Sequence, residues 1–163
     1  MNLVEPTVGD IAYLCQRMRA DERDQFCALN NLAEYDANEA AKQLVALPGM
    51  AFCMLGDDGM PVAAGGFVRV RPGVWQSWMV GTEDGWEKHW RDLTKACKRL
   101  MRGLLDGGDC HRIETVALAS RTKAGRWYMK SLGERFEGVQ RAWFPDGRDA
   151  AWYAKVKETP DVL

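Results

Sequence analysis

The sequence predicts an α+β sandwich, layered α/β/α, with a mixed, mostly antiparallel central sheet of about six or seven strands flanked by helices. Three observations carry this. Amphipathic helical segments fill the first part of the chain. Apolar, turn-separated strand patterns follow from Met50 to Val80, and beyond Trp86 helix and strand patterns alternate. With 163 residues, 47% hydrophobic and 28% charged, the chain is expected to form one domain over 1–163.

Leu3 to Glu5 reads as a short first strand, and Pro6 to Gly9 turns the chain. Asp10 is placed to cap a helix in which Ile11, Leu14, Cys15 and Met18 recur at i, i+3, i+4 and i+7. A second helix is expected after Asp21, burying Phe26, Cys27 and Leu29, and a third from Ala37 to Leu47, stopped by Pro48-Gly49. Met50 to Leu55 and Pro61 to Val70 pair as a hairpin about Gly56-Asp57-Asp58-Gly59. After a turn at Arg71-Pro72-Gly73, Val74 to Val80 adds a third antiparallel strand.

The longest helix starts at Trp86. Trp86, Trp90, Leu93, Cys97, Leu100, Met101 and Leu104 trace its apolar face, and Lys88, Arg91, Lys95, Lys98, Arg99 and Arg102 lie off it. Asp106 to Asp109 ends it. Arg112 to Leu118 reads as a strand and Thr122 to Leu132 as a helix burying Ala124, Trp127, Tyr128 and Leu132. Phe136 to Phe144 and Asp149 to Val156 are the last strands, joined by a turn at Pro145-Asp146-Gly147-Arg148.

A net charge of -1 gives no global attraction to nucleic acid or to an acidic membrane, and the basic stripe on the long helix reads as a solvated face. No apolar run approaches the roughly 20 residues that span a bilayer, and MNLVEPTVGD lacks the signal-peptide pattern, so a cytoplasmic protein is expected. Five cysteines without CxxC spacing suit reduced thiols, and His89 and His111 stand at no ligand spacing, so no metal is expected. Trp75 and Trp78 are an odd interval apart and should point to opposite sheet faces.

The order of elements resembles the GNAT family of N-acetyltransferases from end to end. Within Arg112 to Val156 the family commonly shows an NxxAxxxY-like helix start followed by LGF and EG, and Ala124, Tyr128, Leu132-Gly133 and Glu137-Gly138 fall near those places. The N-terminal EPTVGDI is similar to the family's first strand and capped helix. The resemblance implies acetyl-CoA as co-substrate and a primary amine as acceptor. It implies Tyr128 as the acid that protonates the departing CoA thiolate, although counting back from Gly133 puts Met129 there, and both positions stay open. It implies a carboxylate base on the central strands, for which Glu114 is the best placed, since Gln76, Ser77 and Trp78 are not bases.

On the same resemblance, Met79 and Val80 would bind the thioester end, and the loop carrying Gly81, Thr82, Gly85 and Trp86 would cradle the phosphates. The loop departs from the family's R/Q-x-x-G-x-G/A, and Glu83 and Asp84 bring negative charge to it. The alternative is that Thr82, Glu83 and Asp84 cap the long helix. A narrower pattern, W-M-V-G-T-x-x-G-W followed by RIE, LG, EG and DGRD, resembles GNAT-like proteins of tailed phages, among them small internal virion proteins of T7-like podophages. That resemblance implies a non-catalytic role with a protein partner in a virion.

Overall fold

The computed structural model describes residues 1–158, so residues 159–163 of the domain expected over 1–163 lie outside the described residues. The chain runs β1 (Asn2–Val4), α1 (Val8–Gln16), α2 (Ala20–Asn30), α3 (Ala37–Val45), β2 (Met50–Leu55), β3 (Pro61–Arg71) and β4 (Gly73–Gly81). It continues with α4 (Glu83–Asp106), β5 (Cys110–Leu118), α5 (Thr122–Trp127), a π-helical turn (Tyr128–Leu132), β6 (Arg135–Gln140) and β7 (Ala150–Val156). The strands form one seven-stranded sheet in the order β1-β2-β3-β4-β5-β7-β6. Neighbours are antiparallel except β4 and β5, which run parallel, so the sheet is mixed and mostly antiparallel as expected.

Alternation along the strands feeds a core on each face. Cys53, Ala64 and Val80 pack with Ile11, Leu14 and Cys15 of α1 and Ala40 and Ala41 of α3. On the other face Phe67, Ile113 and Leu132 pack with Met101 and Leu105 of α4. Trp75 packs with the α4 cluster and Trp78 with the α1 and α3 cluster, so the two do face opposite sides. Leu14, Leu93 and Ile113 are fully buried, each stabilising the fold by about 1.5–3 kcal/mol relative to exposure.

Several local expectations change in the folded chain. The cap of α1 is Thr7, not Asp10: the Thr7 hydroxyl accepts the Asp10 N–H at 3.1 Å, and the Asp10 carboxylate accepts the Thr7 N–H at 2.9 Å, a reciprocal capping box. Helix α2 buries Glu22 and Ala28 and leaves Leu29 half exposed, because its ADERDQ stretch carries polar groups on every face. Strand β6 stops at Gln140 rather than reaching Phe144. Ala142 adopts φ 50 and gives its N–H to the Asp149 carboxylate at 2.8 Å, which turns the chain out of the sheet.

The helix expected from Thr122 to Leu132 changes pitch at Tyr128. Gly133, at φ 73, and Glu134 both donate their N–H groups to the Tyr128 carbonyl, which closes a π turn with one residue more than an α turn. This extra residue is why counting forward from Ala124 reaches Tyr128 and counting back from Gly133 reaches Met129. The fold resolves the alternative: Tyr128 faces the interior cavity described below, while Met129 is on the surface.

Candidate active site

Parallel pairing of β4 with β5 begins at Gly73 opposite Cys110 and ends at Gln76 opposite Glu114. Past that point both strands continue, β4 to Gly81 and β5 to Leu118, and a gap opens in the sheet. The gap leads into a cavity of about 940 Å³ between the sheet, α4 and α5. Met79, Trp86, Met101, Trp127 and Tyr128 are among its walls. Where the strands part, the Ser77 and Thr115 hydroxyls meet at 2.6 Å, and Thr115 donates to Glu134 Oε1 at 3.0 Å. A threonine hydroxyl has one hydrogen, so Ser77 is the donor to Thr115. The three side chains form one line from the cavity to a buried carboxyl.

Glu134 is 5% exposed, and its Oε2 has no hydrogen-bond partner. Burial pushes its pKa up to about 7, against the opposing influence of the Thr115 hydroxyl and the Lys155 ammonium. Tyr128 lies in the same cavity, tilted against Trp127 at 5.7 Å and edge-on to Tyr153 at 5.2 Å. Burial raises the Tyr128 phenol to about 12, which keeps it protonated at neutral pH. The cavity therefore holds a group able to accept a proton near neutrality and a phenol that stays protonated there, a weaker acid than an exposed tyrosine.

Helix α2 closes the wide end of the gap. Glu22 accepts the Gly81 N–H at 2.8 Å on the β4 side. Gln25 takes the Leu118 N–H at 3.0 Å and gives its amide to the Val116 carbonyl at 3.4 Å on the β5 side. Glu22 Oε1 also accepts from Arg19 Nε and from Trp86 Nε1, each at 3.3 Å. Burial pushes the Glu22 pKa up, and Arg19 and the Gly81 amide pull against it.

This arrangement decides what the Gly81–Trp86 loop offers a phosphate. The Gly81 N–H is bound to Glu22, the Thr82 N–H to the Val62 carbonyl, the Gly85 N–H to the Thr82 hydroxyl and the Trp86 N–H to the Thr82 carbonyl. Three carboxylates, Glu22, Glu83 and Asp84, stand at that end of α4. Four of the loop's N–H groups are thus taken and carboxylates stand beside it, which leaves less of the loop for a phosphate; Thr82 is the cap of α4, as the alternative expectation had it. Its glycines serve packing: a Cβ on Gly85 would lie 2.6 Å from the Val62 carbonyl oxygen, and one on Gly81 2.9 Å from Trp86 Nε1.

Of the residues singled out in the sequence, Met79, Trp86 and Tyr128 line the cavity together. Val80 is buried in the α1 and α3 cluster on the opposite face. Glu114 is buried and bridged to Arg71 at 3.0 Å and Arg112 at 2.9 Å, one residue out of phase with cavity-lining Thr115. Glu134, Thr115, Glu22 and Gln25 were not singled out. The signal available for Glu134 was an acid directly after Leu132-Gly133, between a buried helix end and a strand. Among the described residues, no group of three or more His, Cys, Asp or Glu side chains is placed to hold a metal ion, and no helix is long and apolar enough to cross a membrane.

The sheet that splits between parallel β4 and β5, with α4 behind the split, is the GNAT fold. An acetyltransferase of the GNAT family from Bacillus anthracis superimposes with a TM-score of 0.75 at 15% identity, over 96% of this chain and 95% of that one. AAC(6')-Ib in complex with ribostamycin and coenzyme A matches with a TM-score of 0.71 at 18% identity, over 96% and 93%. A variant of a spermidine N-acetyltransferase from Vibrio cholerae matches with a TM-score of 0.68 at 12% identity, over 96% and 95%. No protein-family model and no curated protein sequence matches the chain.

Proposed function

We propose that this protein, acting as a single domain, is an N-acyltransferase that moves an acetyl group from the thioester of acetyl-CoA to a primary amine. The observation that carries this is the Ser77–Thr115–Glu134 line opening beside Tyr128 in the gap between β4 and β5. The amine nitrogen attacks the thioester carbonyl carbon, the C–S bond breaks, and the thiolate takes the Tyr128 hydroxyl proton. The proton released by the nitrogen passes to Ser77 as Ser77 gives its own to Thr115 and Thr115 gives its own to Glu134. Glu134 then returns a proton to Tyr128 through water, which restores both groups. Proximity of amine and thioester supplies the rest of the rate enhancement. In this reading Met79 lies along the thioester, Glu114 is structural, and the remaining loop residues Val80, Gly81, Thr82 and Gly85 hold the end of β4 and the start of α4 in place.

A second reading is favoured by the occupied loop: a GNAT-fold protein that binds a partner, in a virion or elsewhere, and takes no acetyl-CoA. Calorimetric titration with acetyl-CoA separates the two, on the parent chain and on Glu22→Ala. The first reading expects heat of binding and a raised melting temperature in the parent, with tighter binding once Glu22 no longer holds Gly81. Silence from both proteins at millimolar acetyl-CoA rejects the first reading.

A further inference from the structure

Resting on the reading of this cavity as the seat of an acyl thioester, we propose that its preferred acyl group is a linear saturated chain of on the order of eight to ten carbons, laid under α4 toward β1, with acetyl the shortest group it takes.

The first sign is a sheet face that is not fully packed. Phe52, Met79, Cys97 and Leu100 lie between the sheet and α4, where a filled core would cover them, yet each keeps accessible surface and lines the cavity. In register, Gly65 of β3 stands between Phe52 of β2 and Met79 of β4. Residues opposite one another share a face, and both neighbours turn toward α4. The missing side chain at Gly65 therefore leaves a trough across the strands beneath the helix. It leads on to Met54 of β2 and Leu3 of β1. Protein interiors are close-packed, and an apolar void forfeits dispersion contacts that water does not restore. A run of methylenes restores them.

Polarity sets the direction. At the mouth of the cavity Glu83 opens α4 and Lys123 lies in the first turn of α5, both exposed, beside the ion-paired Arg19 and Arg121. The other end is carbon and sulfur, from Leu3, Phe52, Met54 and Leu100. The amides and phosphates of a thioester carrier belong at the first end and its hydrocarbon at the second. Met79, whose Sδ meets Cys97 Sγ at 3.8 Å, stands where the two meet, on the same strand as Ser77.

Length follows from strand spacing. From β4 the trough crosses β3 to β2 and β1, at about 4.8 Å a step, so it reaches on the order of 10–14 Å. A carbon–carbon bond of about 1.5 Å advances an extended chain by roughly 1.3 Å, which sets the chain length proposed. The reaction keeps its balance: the N–C bond of the amide forms, the C–S bond breaks, and the nitrogen's proton ends on the released thiol.

The test uses acyl thioesters of N-acetylcysteamine, which carry no phosphate and so do not depend on the Gly81–Trp86 loop. The full chain is titrated calorimetrically with the acetyl, butanoyl, octanoyl and tetradecanoyl members. Affinity should rise by about 4-fold for each methylene buried, put octanoyl at least 10-fold above acetyl, and gain nothing further at tetradecanoyl. Gly65 is not the place to fill, since a Cβ there would lie 2.7 Å from the Trp78 carbonyl oxygen. Leu3→Trp, at the far end on a short edge strand, should weaken octanoyl binding by about 10-fold or more and leave butanoyl unchanged. Equal binding of acetyl and octanoyl, or a rise that continues through tetradecanoyl, overturns the proposal on the parent protein alone, whether or not the variant folds. Chain-length preference without transfer from octanoyl-CoA to any of a panel of primary amines would uphold this proposal and reject acyl transfer. Transfer in which acetyl-CoA outpaces octanoyl-CoA would do the reverse.

Discussion

Replacing Glu134 with glutamine should change the pH dependence of stability in a defined way. The folded carboxyl titrates near 7 against an ordinary value of 4.5, so between those values the native state holds more proton than the unfolded chain. Stability must therefore fall as pH rises through this window. At about 1.4 kcal/mol for each pH unit, the loss from pH 4 to pH 8 is about 3 kcal/mol. Glutamine keeps an oxygen for Thr115 and has no proton to lose. Its amide adds a buried donor, which lowers stability by a similar amount at every pH, so the informative quantity is the pH-dependent difference between the proteins. For a chain of this size about 1 kcal/mol moves the melting temperature by about 2–4 °C. Scanning calorimetry from pH 4 to 8.5 should show the variant gaining roughly 6–12 °C on the parent across the range. Parallel curves would mean that Glu134 is not held as a high-pKa buried carboxyl, and the proton-acceptor role would go with it.

Other substitutions separate the residues of the cavity from those behind it. Tyr128→Phe should leave the fold intact and slow acetyl transfer by about 10²–10⁴-fold; an unchanged turnover number would remove the phenol from the mechanism. Glu114→Gln weakens the bridges to Arg71 and Arg112 and should lower urea stability by about 1–3 kcal/mol with the transfer rate unchanged, and a rate loss like that of Glu134→Gln would contradict the assignment. Gly85→Ala forces a methyl against the Val62 carbonyl at 2.6 Å, so the start of α4 must shift at about 1–3 kcal/mol, and a variant melting with the parent would show that the contact relaxes freely.

The fold was legible because its elements differ in texture. The β2–β3 hairpin has a turn rich in Asp and Gly between apolar runs, and α4 carries an apolar stripe through Leu93, Cys97 and Met101. The site was less legible, because its polar residues are made special by distant partners. Glu22 sits in ADERDQ, which reads as a solvated helix surface until Gly81 and Trp86, some sixty residues away, are folded against it. Glu114 resembles a free strand carboxylate until Arg71 crosses to it from β3. Glu134 is one acid beside a glycine, and its burial follows from a π turn that adds a single residue to the register, a change smaller than periodicity can resolve.

The most direct measurement is thiol release from acetyl-CoA in the presence of a panel of primary amines, with mass spectrometry of the amines, from pH 5 to 9. The proposed function predicts stoichiometric N-acetylation, a rate that rises with an apparent pKa near 7, and loss of that rise in Glu134→Gln. Thiol release no faster than in the absence of protein, or acetylation whose pH profile is the same in parent and variant, would contradict it.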